Sequence, residues 1–466
     1  MADGSALARR LSPYVVGTLT SPRTRQLRRW LAEQRRRMRG EPQRVHYFHQ
    51  VDDPYSQLVV QVLPQLVARY DVELVPHLVG PPPDSAAPDR ERLVAFARRD
   101  AADVAPGYGV AFPIGAAVPP PESVLLATRA LAAAIAAGSF VSVAAGIGDA
   151  LWSGDRERLR AVTEGTGLAE PGAAAARVAD GTRVRERLGH YLGGTLFFGS
   201  EWFWGVDRLD HLERRLRALG LQRDPAHAAF LAPRPDPSHE PVPAFAPSAR
   251  VALEFYPSLR SPYTAIVMDR VRDLTRRLPV DLVLRPVLPM VMRGLAVPRV
   301  KRLYITLDTK REAEDAGIEF GRVSDPVGRP VERAFSLYPW ACSEGRGFEL
   351  LRSFTRAAFA EGIDTGSDDG LRRVVENAGL SWSDARAHLD REGWRDELEA
   401  NRQQMLALGL WGVPSFRIVG AGGEPDYATW GQDRLWRVEQ EVRRRLGGHV
   451  APAARSHMVT PQEGRS

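Results

Sequence analysis

One stretch of this chain occurs twice, and that repeat limits the fold more than any other feature. Val45-His-Tyr-Phe-His-Gln-Val-Asp-Asp-Pro-Tyr55 is echoed by Leu253-Glu-Phe-Tyr-Pro-Ser-Leu-Arg-Ser-Pro-Tyr263, with the Pro-Tyr pairs 208 positions apart. At the same shift, Val72-Glu-Leu-Val75 falls on Val280-Asp-Leu-Val283. Farther on, Phe203-Trp-Gly-Val-Asp-Arg-Leu209 echoes Thr429-Trp-Gly-Gln-Asp-Arg-Leu435, now 226 apart. A repeat of this length implies two tandem domains, not a solenoid of short units.

The copies differ where chemistry would sit. Ser261 takes the place of Asp53, and Val413-Pro414-Ser415 reads as Gly194-Thr195-Leu196 in the first copy. The first copy therefore reads as a degenerate partner and the second as the seat of function. Expected boundaries are an Arg-rich arm at 1–44, a first domain at 45–220, a Pro-rich linker at 221–249, a second domain at 250–447 and a disordered tail at 448–466. Each domain is long enough to bury its own core. The linker prolines favour extended segments and oppose helix.

Formal charge is +6, concentrated in the arm around Arg23–Arg39. No aromatic residues alternate with these arginines as a nucleic-acid stacking surface requires. A solvated helix is the simpler reading, with Leu27, Leu31 and Met38 as a narrow stripe able to pack on the body. The single cysteine, Cys342, allows no intrachain disulfide and no Cys-x-x-Cys, which fits a reducing, cytoplasmic setting. Leu125–Ala137 is too short and too interrupted to span a bilayer. The histidines show no paired spacing for a metal, so none is expected.

Within the second copy, strands are expected at 251–256, 280–284, 415–419 and 427–429. Helices are expected at 262–277 and 432–446, with a mainly helical stretch at 301–410. The first copy gives strands at 45–49, 72–76 and 195–198 and helices at 54–69 and 206–219. This α/β order is thioredoxin-like, with an inserted helical subdomain after the second strand of each copy.

In such a fold, Arg260-Ser261-Pro262-Tyr263, Gly412-Val413-Pro414-Ser415 and Trp430-Gly431-Gln432-Asp433-Arg434 converge. Together these motifs resemble the DsbA-like branch of the thioredoxin superfamily, in particular 2-hydroxychromene-2-carboxylate isomerases and kappa-class glutathione transferases. The resemblance implies glutathione as cofactor. It makes Ser261 the catalytic group that holds the thiol as thiolate, the bond before Pro414 cis, and Ser261, Val413, Pro414, Gln432 and Asp433 cofactor contacts. The other reading of Ser261 is a plain helix cap, and that of Asp433 a partner of the helix dipole. The relatives' loop after the second strand carries an Asn. Here Met290–Pro298 has none, and Arg293 is the candidate substitute. Lys301, Arg302 and Tyr304 read as solvated or packing residues.

The expected function is a glutathione-dependent isomerase or transferase acting on an unsaturated or aromatic carbonyl compound. A non-catalytic thioredoxin-fold scaffold is the alternative. A thiol–disulfide oxidoreductase is disfavoured, because exchange needs an attacking thiolate. The two copies are expected to pair as an internal pseudo-dimer, or the chain as a homodimer.

Overall fold

The computed structural model describes residues 6–241, 245 and 249–447; the expected tail at 448–466 lies outside them. Two mixed four-stranded sheets with intervening helices form an α/β architecture. The first sheet contains β1 (Arg44–His49), β2 (Glu73–Leu78), β3 (Thr195–Phe198) and β4 (Glu201–Trp204), in the order β2-β1-β3-β4. The second contains β5 (Val251–Tyr256), β6 (Val280–Leu284), β7 (Ser415–Ile418) and β8 (Tyr427–Trp430), in the order β6-β5-β7-β8. In each, the first two strands run parallel and the other pairings are antiparallel. Helices from Arg90 to Leu188 and from Arg299 to Ala407 fill the interval between second and third strands.

Register corrects one sequence correspondence. Phe48 faces Thr195 and Tyr256 faces Ser415. Thr195 is therefore the counterpart of Ser415, and Gly193-Gly194 that of Val413-Pro414. A slip of one residue would have turned every side chain of the strand to the opposite face.

Local chemistry explains the element ends. Ser261 and Asp53 each cap a helix whose first turn holds a proline, Pro262 or Pro54, where a missing N–H costs nothing. The helix expected at 54–69 is two pieces, Pro54–Val60 and Leu63–Arg69, because Pro64 cannot donate to the turn before it. β4 was not expected. A tight turn at Gly199-Ser200, both with positive φ (53° and 74°), reverses the chain into it.

The linker is packed rather than free. Arg217 donates to the Ala228 and Ala229 carbonyls and stacks on Phe230, and Asp236 caps a single 3-10 turn at Pro237–His239. The arm forms helices Ala6–Thr20 and Pro22–Met38, which touch both halves. Ser12 donates to the Val323 carbonyl, and Arg29 pairs with Glu201 through two hydrogen bonds. The expected packing stripe is absent: Leu27, Leu31 and Met38 are exposed. Among the described residues, no helix is long and apolar enough to cross a membrane.

Candidate functional site

The second half brings Ser261 and the Val413–Pro414 turn together. The Val413–Pro414 peptide is cis. Ser261 Oγ accepts the Thr264 N–H at 3.1 Å, so the capping role is real. The same hydroxyl donates to the Val413 carbonyl at 3.4 Å. Its proton is thus directed across the turn, through a long bond that a better acceptor would displace. No base touches the hydroxyl in the described residues. Arg260, next in the chain, is held in a two-point pair with Asp325.

Two glycines shape the turn. The Gly431 N–H donates to the Pro414 carbonyl at 2.9 Å, which ties the cis turn to the end of β8. A Cβ on Gly412 would lie 2.2 Å from the Trp430 indole, so only glycine allows that ring to close over the backbone. Trp430 and Val413 join an apolar wall with Tyr256, Val287, Met405, Leu410 and Phe96. Phe96 comes from the first half, on the helix Arg90–Val104. That helix also donates Arg92 and Arg99 to the Leu406 and Leu408 carbonyls. Beside it lies a groove of about 350 Å³ lined by Arg92, Phe96, Arg99 and Gly409 with Asp89 and Glu91. Ser258 Oγ, buried in the turn before Ser261, has no partner among the described residues.

Gln432 and Asp433 do not reach this opening. Gln432 is buried, donating to Glu312 at 2.8 Å and accepting from Arg270 at 2.8 Å. Asp433 accepts Arg208 Nη1 at 2.9 Å and lies 3.5 Å from Arg434. The expected ammonium position is therefore taken by guanidinium groups, one of them from the first half.

What sequence reasoning missed is the ion-pair system of which Asp433 is part. Arg208 of the first half forms two-point bonds to Asp308 of the second at 2.8–3.1 Å. Arg434 of the second half meets Asp100 of the first in the same way, at 2.8–3.1 Å. Tyr55 donates to Asp100 and Tyr263 to Asp308, each at 2.8 Å. Burial works against both guanidinium charges, but the surrounding carboxylates hold them well above the ordinary value. Burial likewise tends to raise Asp308 and Glu312; Arg208, joined by Arg311 at Asp308 and by Arg234 at Glu312, outweighs it and holds both low. The signal was present in the sequence: Asp100 and Asp308 are 208 positions apart, as are Tyr55 and Tyr263.

Other candidates fall away from the opening. Arg293 donates Nε to the Leu288 carbonyl. Lys301 reaches the Ala86 carbonyl of the first half, and Tyr304 is buried against His190, so neither is solvated. Cys342 is exposed on the helix Arg329–Ser343; partial desolvation and Glu397 outweigh a hydrogen bond from Tyr338 and push its thiol up. Two histidines do pair, His46 Nδ1 with His77 Nε2 at 3.0 Å. Asp210, His211 and Asp315 cluster closely enough for a cation. His211 is spent on Glu312, however, and Arg214 lies on both aspartates.

Residues 252–443 match the DSBA-like thioredoxin domain family, and this part of the chain is such a domain. Among solved structures, a 2-hydroxychromene-2-carboxylate isomerase is 20% identical, covering 41% of this chain and 95% of its own, with a TM-score of 0.35. A probable DsbA oxidoreductase from Streptomyces coelicolor is 20% identical, covering 44% and 93%, with a TM-score of 0.33. The cytosolic disulfide reductase DsbM from Pseudomonas aeruginosa is 20% identical, covering 42% and 99%, with a TM-score of 0.31. No curated protein matches the chain.

Proposed function

We propose that the DSBA-like half binds a small thiol of the glutathione type and that the chain is an isomerase or transferase for an unsaturated or aromatic carbonyl compound. The observation that carries this reading is the Ser261 hydroxyl, set at a helix start with its proton turned toward the Val413 carbonyl. A thiolate arriving there accepts the hydrogen bond of that hydroxyl in place of the carbonyl, and the helix start favours its charge. Bound in this way, the thiol supplies a nucleophile that adds reversibly to an electrophilic carbon and so permits rotation about a former double bond. Once the ligand takes over the Ser261 hydroxyl, the Val413 carbonyl can pair with a peptide-like cofactor in the manner of an added strand. Arg92 and Arg99, lining the adjacent groove, offer carboxylate contacts from the first half. Gln432 and Asp433 serve as framework.

The first half, on this reading, lost Ser and Pro at the corresponding positions and became a fixed partner. Two domains at 45–220 and 250–447 then form an internal pseudo-dimer, with Arg208 and Arg434 as its clasps. A cytoplasmic location suits a thiol cofactor and a single reduced cysteine. Disulfide exchange is disfavoured because no thiol stands at position 261.

Calorimetry of the full chain with glutathione tests the proposal. Saturable binding is expected, and Ser261→Ala should lower turnover of an enone substrate more than it lowers affinity. Absence of any binding heat or chemical-shift change at millimolar glutathione would retire it.

A further inference from the structure

The first half's counterpart of this site holds a group of buried donors without acceptors. Arg185 is fully buried near the end of the helix Pro171–Leu188. Its Nη1 donates to the Gly80 carbonyl at 3.0 Å, but Nε and Nη2 have no partner among the described residues. Those two nitrogens form one edge of the guanidinium, the edge that matches a carboxylate through two parallel bonds. His190, also buried, accepts the Leu192 N–H on Nδ1 at 3.2 Å. Burial and the nearby Arg185 charge press its basicity down to about 3, so the ring is neutral. Its one proton is therefore on Nε2, and that donor has no partner either. The buried Tyr304 hydroxyl is the third unpaired group, on a ring 4.5 Å from that of His190.

Every free group here can donate, and the set includes a cation removed from water. Such a charge is costly unless something accepts from it. Asp53 and Glu186 are near enough to favour the charged form of Arg185, yet neither pairs with it. The group lies beyond the carboxyl ends of β1 and β2, where ligands of open α/β sheets bind. Gly80 follows β2, and Gly193 and Gly194 close against Gln50, Ser56 and Asp53. The second half adds Tyr304, whose ring lies edge-on to that of His190. The rings of Tyr191 and Trp202 stack on His190.

We propose that the first half carries a second binding site, for the carboxylate of a small organic acid, seated on the Nε–Nη2 edge of Arg185 and contacted by His190 Nε2–H and the Tyr304 hydroxyl. The site is independent of the thiol site at Ser261. It makes the first half a ligand-binding domain whose donor set is completed by Tyr304 of the second.

Thermal melting and tryptophan fluorescence of the full chain, with benzoate, acetate, phosphate or chloride at equal ionic strength, test this. A saturable response to benzoate or acetate is expected, weakened by about tenfold or more in Arg185→Met, since a charged hydrogen-bond pair is lost. Tyr304→Phe removes a hydroxyl that has no partner among the described residues, so it should fold normally and bind a few-fold more weakly. Ser261→Ala should leave the response intact. If Arg185→Met fails to fold, Tyr304→Phe decides. The proposal is overturned if carboxylates act no differently from chloride, or if phosphate binds tighter than any carboxylate. It is also overturned if the response survives both substitutions, or if a crystal structure grown with benzoate shows only water on Arg185.

Discussion

The two sheets share one strand order, yet the turns at their carboxyl ends have opposite character. In the second half an uncharged Ser261 hydroxyl faces a cis turn at Val413–Pro414. In the first, Asp53 caps the helix and the turn is Gly193-Gly194, pressed so close that a Cβ on Gly193 would lie 2.6 Å from Gln50. One half sets a neutral hydroxyl against its turn. The other encloses titratable groups, with His49, Asp53, Arg185 and His190 withdrawn from water. Between them runs an ionic clasp in which each half sets an arginine on the other's aspartate, and each aspartate also accepts from a tyrosine of its own half. The difference teaches that matching topology fixes where the turns lie and leaves their chemistry free to diverge, while the contact between the halves keeps its pattern.

The clasp gives the largest expected effect. Arg208→Met takes a shared guanidinium from buried Asp308, Glu312 and Asp433, leaving Arg311 at Asp308 and Arg234 at Glu312, and Arg434→Met strands Asp100 and Asp207. Removing one partner of a buried pair costs about 3–5 kcal/mol. Urea unfolding should show losses of that order for both variants. Combining Arg208→Met with Asp308→Asn should cost less than the sum, since the two act on one interaction. Unequal losses, with one variant near wild type, would break the symmetry inferred for the clasp.

Acid should separate the halves next. Burial lowers His49 and His190 to about 3, far below their unfolded value. The unfolded chain therefore binds more protons than the folded one between about pH 6.5 and 3, and stability falls as pH drops through that window. At pH 5 the penalty is roughly 2 kcal/mol for each of these buried rings. Asp53 opposes this: burial raises it to about 6, so it takes up a proton in the folded state and recovers part of the loss between about pH 6 and 4. The net is a first half weakened by acid through these buried rings. Hydrogen exchange at pH 5 should show β1–β4 losing protection before β5–β8. Equal loss in both sheets would remove the electrostatic distinction.

The legible parts of this molecule were those whose signals are local. Val251–Tyr256, Pro262–Arg277 and Val280–Leu284 have the limits their residues dictate, because β-branched runs, a proline at the first turn and a capping serine act within a few residues. The break at Leu63-Pro64 is equally local, since Pro64 cannot donate to the turn before it. β4 is only four residues long, and its hairpin turn lacks the usual Asn-Gly signature. The clasp was misread for a different reason. Asp433 in Trp-Gly-Gln-Asp-Arg carries a motif that permits ligand binding, and nothing near it in sequence reports an arginine 225 positions away. Repeat spacing was the one signal able to reveal it, since Tyr55 and Asp100 recur together as Tyr263 and Asp308. The donors around Arg185 had no sequence signature, because an arginine near the end of a helix ordinarily faces water.

The smallest expected effect compares the two caps directly. Ser261→Ala removes the acceptor for the Thr264 N–H and should cost about 1 kcal/mol. Asp53→Ala removes the acceptor for both the N–H and the hydroxyl of Ser56. It also removes a carboxylate whose ionisation burial opposes. Above about pH 6 those two consequences have opposite signs, so the loss in Asp53→Ala should be smaller than in Ser261→Ala. Near pH 4 the native Asp53 is protonated and the relief disappears, so the loss should grow as the pH is lowered. Ser261→Ala should show the same loss at both values, since a serine does not titrate there. Chemical denaturation of both variants at pH 7 and pH 4, each against wild type, reads the difference. A pH-independent cost for Asp53→Ala would mean that its carboxylate is solvated, and the contrast between an open turn in one half and a withdrawn one in the other would lose its electrostatic part.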